Sequence, residues 1–434
     1  MTRVIGRILL TVAALAVTGF MLLVLIGLWD RYEQETAVLG FRGIYERYLA
    51  WQAGLSVDPK GRAAAKAERV RSFEQRPKLV GTGAVGSTNQ GMSVALSADG
   101  NTAIVGGPGP NNADRDRSPV VGPVGAAWVF TRSGGTWTQQ GGKLVGTTSE
   151  YGGGLWSQGA SVALSSDGNT AIIGGPSDNR TTGAAWVFTR SGSIWTQQGN
   201  KLVGSGASEP PLPPGQGMSV ALSADGNTAI VGGWSDNGKT GAAWVFTRSG
   251  GGVWTQQGKK LVGSDAMGSA CQGMSVALSA DGNSAIVGGP GDNRWDRSVP
   301  FGRGAAGAAW VFTRSGGVWT QQGDKLVSTG NSVGHLGTSV ALSAGGNIAI
   351  VGGVAEATGV ALVFSRRGGH WTQAKKLVGA GAVGKSAPSV ALSADGSIVM
   401  VGGSNDNGGV GAAWMFTRSG GYWTQDKKLS LSQE

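Results

Sequence analysis

From residue 93 onward the chain lays out apolar and polar positions in the same order six times. Each copy begins Ser-Val-Ala-Leu-Ser, at Ser93, Ser161, Ser219, Ser275, Ser339 and Ser389, so successive starts lie 68, 58, 56, 64 and 50 residues apart. A turn follows, then a second apolar run ending in two glycines, as in Ala98-Asp99-Gly100-Asn101 before Ile104-Val105-Gly106-Gly107. An Asp-Gly pair between two apolar runs predicts a hairpin, because glycine accepts the positive φ that tight turns require. The third run reads Gly-Ala-Ala-Trp-(Val or Met)-Phe-Thr-Arg from Gly125, Gly183, Gly241, Gly307 and Gly411, with Val360-Ala361-Leu362-Val363-Phe364 as a looser copy. The fourth follows a Ser-Gly turn and runs Trp-Thr-Gln from Trp137, Trp195, Trp254, Trp319, Trp371 and Trp423. Four runs joined by hairpins predict a four-stranded meander. Trp128 and Phe130 alternate with Ala127 and Val129, so the sheet is apolar on both faces and needs a neighbour on each side. A ring of such blades supplies one. The predicted fold is therefore all-β: a β-propeller over residues 78–434 with six four-stranded blades, or seven if the preceding segment contributes one. Lys78-Leu79-Val80-Gly81 matches the end of a fourth strand and is expected to help close the ring against the last blade.

Upstream the pattern changes. Residues 8–29 carry no charge, and 22 such residues match the roughly 20 that a helix needs to cross a bilayer. Ala14 and Ala16 offer a cleavage-like pair, but the apolar run continues to Ile26, which favours an uncleaved signal anchor. Arg3 and Arg7 are expected to hold residues 1–7 in the cytoplasm and so place the propeller on the outer side, in the periplasm of a Gram-negative cell. In residues 30–77, Phe41, Ile44, Tyr45, Tyr48 and Leu49 fall at the spacing of one helical face, which predicts a helical juxtamembrane stalk.

Composition narrows the function. Glycine supplies 79 residues and tryptophan 16, while 14% of residues are charged, which fits short strands and tight turns and does not fit a helical enzyme. Eleven of the tryptophans occupy repeat positions and are expected in the packing between blades. The net charge of +10 divides into +4 over residues 1–77 (11 basic, 7 acidic) and +6 over the rest (25 basic, 19 acidic). The propeller's basic residues recur singly, as at Arg132, Arg190 and Arg248, and form no stripe, so no nucleic-acid partner is expected. Cys271 is the only cysteine, which excludes an intrachain disulfide and reads as a small filler.

The repeats resemble the FG-GAP repeat of integrin α-subunit propellers and their bacterial relatives. Gln90-Gly91-Met92-Ser93 stands for the Phe-Gly-x-Ser element, Gly106-Gly107-Pro108 for Gly-Ala-Pro, and Gly125 to Phe130 for Gly-Ala-Val-Tyr-Val-Phe. The resemblance implies a propeller that binds a protein or glycan outside the membrane. It also implies calcium in the hairpin loops, but that needs several oxygen ligands at alternate positions. Each hairpin keeps one aspartate (Asp99, Asp167, Asp225, Asp281 and Asp395), with Gly345 in the fifth. No metal or other cofactor is therefore expected, and each aspartate reads as the cap of its own turn.

In a propeller the turns joining first to second and third to fourth strands share one face, and here they are nearly constant. The loops joining second to third strands and successive blades share the other face and vary, which makes that face the place to look for function. Its candidate binding residues are Tyr151, Trp156, Trp234, Trp295, Phe301, Arg115, Arg117, Arg294, Arg297 and Arg303, with Arg180 nearby. Exposed aromatic and arginine side chains are the types that anchor interfaces. Asp178, Asp236, Asp292 and Asp406 head the same loops as a recurring turn residue. With His335 and His370 the only histidines, catalytic groups are few and the chain is not expected to be an enzyme. A membrane-anchored binding or adhesion module is the main expectation, and a scaffold subunit of a cell-envelope complex is an alternative. A carbohydrate-active propeller hydrolase or lyase, using carboxylates among Asp114, Asp116, Glu150 and Glu209, is another.

Overall fold

The computed structural model describes residues 78–429 apart from 85, 110–124, 148–156, 209–212, 294–304, 331–332, 356–357 and 385–386. The predicted tail, membrane anchor and stalk lie outside the described residues. No helix among the described residues is long and apolar enough to cross a membrane.

Each repeat folds as the hydrophobic pattern requires. In blade one, β1 (Ser93–Leu96), β2 (Thr102–Gly107), β3 (Ala126–Ser133) and β4 (Thr136–Gln139) form an antiparallel meander in that order. The same order recurs in blade two (161–197), three (219–256), four (275–321), five (334–378) and six (389–429). The register is also repeated: Ile104 faces Ala95 and Val129, as Ile172 faces Ala163 and Val187. The chain is thus an all-β, six-bladed propeller, as the six Ser-Val-Ala-Leu-Ser copies predict.

The core lies between blades. One face of each sheet carries Trp128 or its counterpart and a phenylalanine; the other carries Ile104 or its counterpart, a small alanine and Val129. Ile104, Ala127 and Val129 of blade one thus pack on Trp186 and Phe188 of blade two, and this arrangement is repeated through blade six. Trp128, Trp186, Trp244 and Trp310 are fully buried, which confirms their packing role. Fourth-strand tryptophans are partly buried, and Arg132, Arg190, Arg248, Arg314 and Arg366 lie over those of their own blades at 5.4–5.6 Å from the ring centroid.

Hydrogen bonds knit one blade to the next. On the turn face, Ala98 N donates to Ser166 O, Ser166 N to Ala224 O, Ala224 N to Ala280 O, Ala280 N to Ala344 O and Ala344 N to Ala394 O, all at 2.8–2.9 Å. Gln140, Gln198, Gln257 and Gln322 each accept from both the arginine and the fourth-strand tryptophan of the next blade, as Gln140 does from Arg190 (3.1 Å) and Trp195 (3.0 Å).

The expected ring closure through Lys78–Gly81 is corrected. Gly81 lies flat on Trp128, Trp128 Nε1 donates to Thr82 O at 2.8 Å, and Leu79 packs on blade one. This is how each incoming connection meets its own blade. On blade six the partner of Ala413 is Leu429, so the sheet already has its fourth strand and Leu79 does not complete it.

Candidate functional site

The two faces differ as the loop lengths predict. On the turn face Ser97 Oγ donates to Asp99 Oδ1 at 2.5 Å and Asn101 N donates to the same oxygen at 2.9 Å; the pattern recurs at Asp167, Asp225 and Asp281. These carboxylates cap their own turns, as expected. The hydrogen bonds pull Asp99 down to about 2, and the equivalent set around Ser393 and Ser397 does the same for Asp395. At Asp167, Asp225 and Asp281 burial opposes ionisation, but the serine and asparagine donors outweigh it and the net direction is downward. No group of three or more potential metal ligands occurs among the described residues.

On the loop face each Asp-Asn step has a specific geometry. Asn179, Asn237, Asn293 and Asn407 adopt left-handed backbone (φ 45–55°), a conformation asparagine tolerates better than most residues. This turns the preceding aspartate inward, where Asp178, Asp236, Asp292 and Asp406 are 0–3% exposed. Each meets a lysine from the far end of its own blade: Lys201 at 2.5 Å, Lys260 at 2.5 Å, Lys325 at 2.7 Å and Lys428 at 2.7 Å. In blades three, four and six the other oxygen accepts from the connection entering that blade, through Ser208 N on Asp236 (2.8 Å), Met267 N on Asp292 (2.8 Å) and Val383 N on Asp406 (2.7 Å). Burial opposes ionisation of Asp406, but the Lys428 ammonium and the Val383 amide overcome it and set its value below the ordinary range. The recurring loop aspartate is therefore more than a turn residue. It staples loop, connection and outer strand, and loss of either charged partner from a buried pair typically costs about 3–5 kcal/mol. The sequence carried this signal in the co-occurrence of Asp-Asn with a Lys-Leu step in blades two, three, four and six. Blade five departs from it, since its second and third strands run on until Ala355 pairs with Thr358.

In sequence, Asp236 and Asp292 stand at the head of the segments that carry Trp234 and residues 294–303. Of the ten candidate binding residues, Trp234 is described: it is partly buried at the head of its loop, with its indole beside Gly215 of the incoming connection. Tyr151, Trp156, Trp295, Phe301, Arg115, Arg117, Arg294, Arg297 and Arg303 lie outside the described residues, as do Asp114, Asp116, Glu150 and Glu209. Cys271 is buried, with Sγ 3.4 Å from Ser269 O, and His370 is exposed on the turn face.

No family model matches the chain, and no curated protein does either. The FG-GAP assignment and its integrin-like implication therefore gain no support beyond the propeller itself. Solved structures do match. A candidate 6-phosphogluconolactonase of Bacteroides uniformis aligns with 79% of this chain and 85% of its own, at TM-score 0.53 and 11% identity. The periplasmic gluconolactonase of Pseudomonas aeruginosa aligns at TM-score 0.50 and 16% identity over 78% and 85%. A candidate 6-phosphogluconolactonase of Bacteroides fragilis aligns at 0.50 and 13% over 79% and 84%. At such identities the likeness establishes the class: a β-propeller whose structural neighbours include proteins named as lactonases. This corrects the expectation, drawn from the scarcity of histidine, that the chain is not an enzyme, because neighbours of this shape bear hydrolase names.

Proposed function

We propose that this protein is an extracytoplasmic lactone hydrolase acting on sugar-derived lactones at its loop face. The observation that carries the reading is the match of 78–79% of the chain to solved structures named as a periplasmic gluconolactonase and as candidate 6-phosphogluconolactonases. Its loop chemistry suits the reaction. Hydrolysis of a lactone adds water to the ester carbonyl and breaks the ring C–O bond, giving a hydroxy acid. A carboxylate in reach of the water acts as general base, and cationic donors stabilise the oxyanion. Asp114, Asp116, Glu150 and Glu209 are the proposed source of the base. Arg115, Arg117, Arg294, Arg297 and Arg303 are suited to the oxyanion and to a carboxylate or phosphate on the sugar, because guanidinium binds both in bidentate fashion. The aromatic residues Tyr151, Trp156, Trp295 and Phe301 would wall the site.

The test is acid release from glucono-δ-lactone and 6-phosphogluconolactone at constant pH. The expected result is a rate well above spontaneous hydrolysis, falling about 10²- to 10⁴-fold in whichever of Asp114→Asn, Asp116→Asn, Glu150→Gln or Glu209→Gln removes the base. A rate equal to the uncatalysed one with both lactones would sink the proposal. A second reading, a protein- or glycan-binding module, is favoured by the pairing of every described loop-head aspartate with a lysine, which leaves recognition to the aromatic and arginine side chains.

A further inference from the structure

Two departures from the repeat meet on the turn face between blades five and six. In each of the four preceding contacts one glutamine oxygen accepts from both the arginine and the fourth-strand tryptophan of the next blade, at 2.8–3.1 Å. The same arginines give Nε–H to an asparagine of their own blade, as Arg190 does to Asn169 (2.9 Å) and Arg366 to Asn347 (3.0 Å). Between blades five and six the glutamine position holds Ala374 and the asparagine position holds Ser397. Alanine offers no acceptor, and Ser397 Oγ donates to Asp395 Oδ2 at 2.7 Å. Among the described residues Arg418 and Trp423, the arginine and tryptophan of blade six, therefore have no side-chain hydrogen bond or ion pair.

The interface around them is intact. Ala344 N donates to Ala394 O at 2.8 Å, and Arg418 N to Ser397 O at 2.7 Å, as Arg366 N does to Asn347 O at 2.8 Å. Trp414, Phe416 and Trp423 pack on Ile350, Ala361, Val363 and Leu377 of blade five. The packing of the repeat is kept and its acceptors are not. Arg418 and Trp423 are both half-buried, and a partly desolvated donor without an acceptor costs free energy. The surroundings are cationic, since the exposed Lys375 follows Ala374. The carboxylates of blade six are engaged elsewhere. Asp395 accepts from Ser393 and Ser397, and Asp406 pairs with Lys428 on the loop face. Asp426 accepts from Thr417, which precedes Arg418 and so points to the other face of the sheet.

We propose that this notch between blades five and six binds a small carboxylate. A carboxylate is the anionic counterpart of the glutamine carboxamide: planar, acceptor-only, and able to take two donors on one oxygen. One oxygen accepts from Arg418 and Trp423 Nε1, as Gln322 Oε1 accepts from Arg366 and Trp371 of blade five. The other oxygen accepts from the remainder of the guanidinium fork, which matches a carboxylate in bidentate fashion, and Lys375 adds positive charge. The site lies on the turn face, away from the loops proposed for lactone hydrolysis, and does not depend on that activity.

The indole N–H resonance of Trp423 in the nitrogen-labelled full-length protein, assigned by its loss in Trp423→Phe, reports on the site. Titration with acetate or gluconate is expected to move it, with half-saturation on the order of 1 mM, as a few charge-assisted hydrogen bonds allow. The two probes distinguish a bare carboxylate from a hydroxy acid, and a response to either supports the site. Sodium chloride at equal ionic strength should leave the resonance in place. Ala374→Gln with Ser397→Asn restores the acceptors of the repeat. It is expected to shift the resonance without any added anion and to weaken the response to carboxylate at least about tenfold. Because this variant completes an interface, its loss of response cannot be laid to unfolding. Four results would each overturn the proposal: no movement with either carboxylate, an equal shift with chloride, a response to inorganic phosphate alone, or an undiminished response in the restored variant.

Discussion

At the scale of single residues, the propeller's turns are organised by carboxylates held ionised by local donors. Asp99 and Asp395 sit at about 2, and Asp167, Asp225, Asp281 and Asp406 are displaced in the same direction. A carboxyl whose folded value lies below its unfolded value, about 3.9, contributes stability that is fully present above that pH. The contribution disappears as pH falls through the folded values. The thermal midpoint of the propeller is therefore expected to be level above about pH 5 and to drop between about pH 4 and 2, and Asp225→Asn with Asp281→Asn should flatten that slope. Melting curves by circular dichroism across this range check it. A midpoint unchanged at pH 2 would show that the turns do not draw on ionised aspartate.

At the scale of elements, much of the fold was legible because hairpins are local. The Ala-Asp-Gly-Asn turns, the two-glycine strand ends and the alternation of Trp128, Phe130, Ala127 and Val129 each report conditions within a few residues. The connections were less legible because their constraints are distant in sequence. Nothing beside Gly204 announces that it must lie on Trp244, 40 residues on, yet a Cβ there would sit 2.1 Å from the indole. The loop aspartates hid their partners in the same way, since Asp236 and Lys260 are 24 residues apart. Gly204→Ala is expected to cost at least about 1–3 kcal/mol in urea unfolding, as overpacking does, whereas Gly250→Ala, with nothing within 4 Å, should stay within about 0.5 kcal/mol. Equal losses in the two would mean that the connection yields without strain.

At the scale of the whole molecule, the sequence pattern gave the number of blades and the division into a constant and a variable face, but not the state of the ring. Six repeats supply six blades, and whether the first and last meet depends on a rotation accumulated over five interfaces, which no residue encodes alone. The candidate site was legible only as an inventory of side chains. Arg294, Trp295 and Arg297 were found because they break the repeat, but a break in a pattern carries no distances, and lactone chemistry depends on the distance between a carboxylate and an ester carbonyl. Scarcity of histidine is a weak ground against a hydrolase, since a general base can equally be a carboxylate.

The chain of backbone bonds from Ala98 to Ala394 has five links, and among the described residues it joins the inner four blades on both sides and each end blade on one. An array coupled through nearest neighbours unfolds as a one-dimensional lattice does, so an end blade detaches at the loss of one interface and an inner blade at the loss of two. Amide hydrogens should accordingly exchange with deuterium fastest in the second and third strands of blades one and six and slowest in blades three and four. This gradient would be a kinetic record of where the array ends, written into sheets of nearly identical sequence.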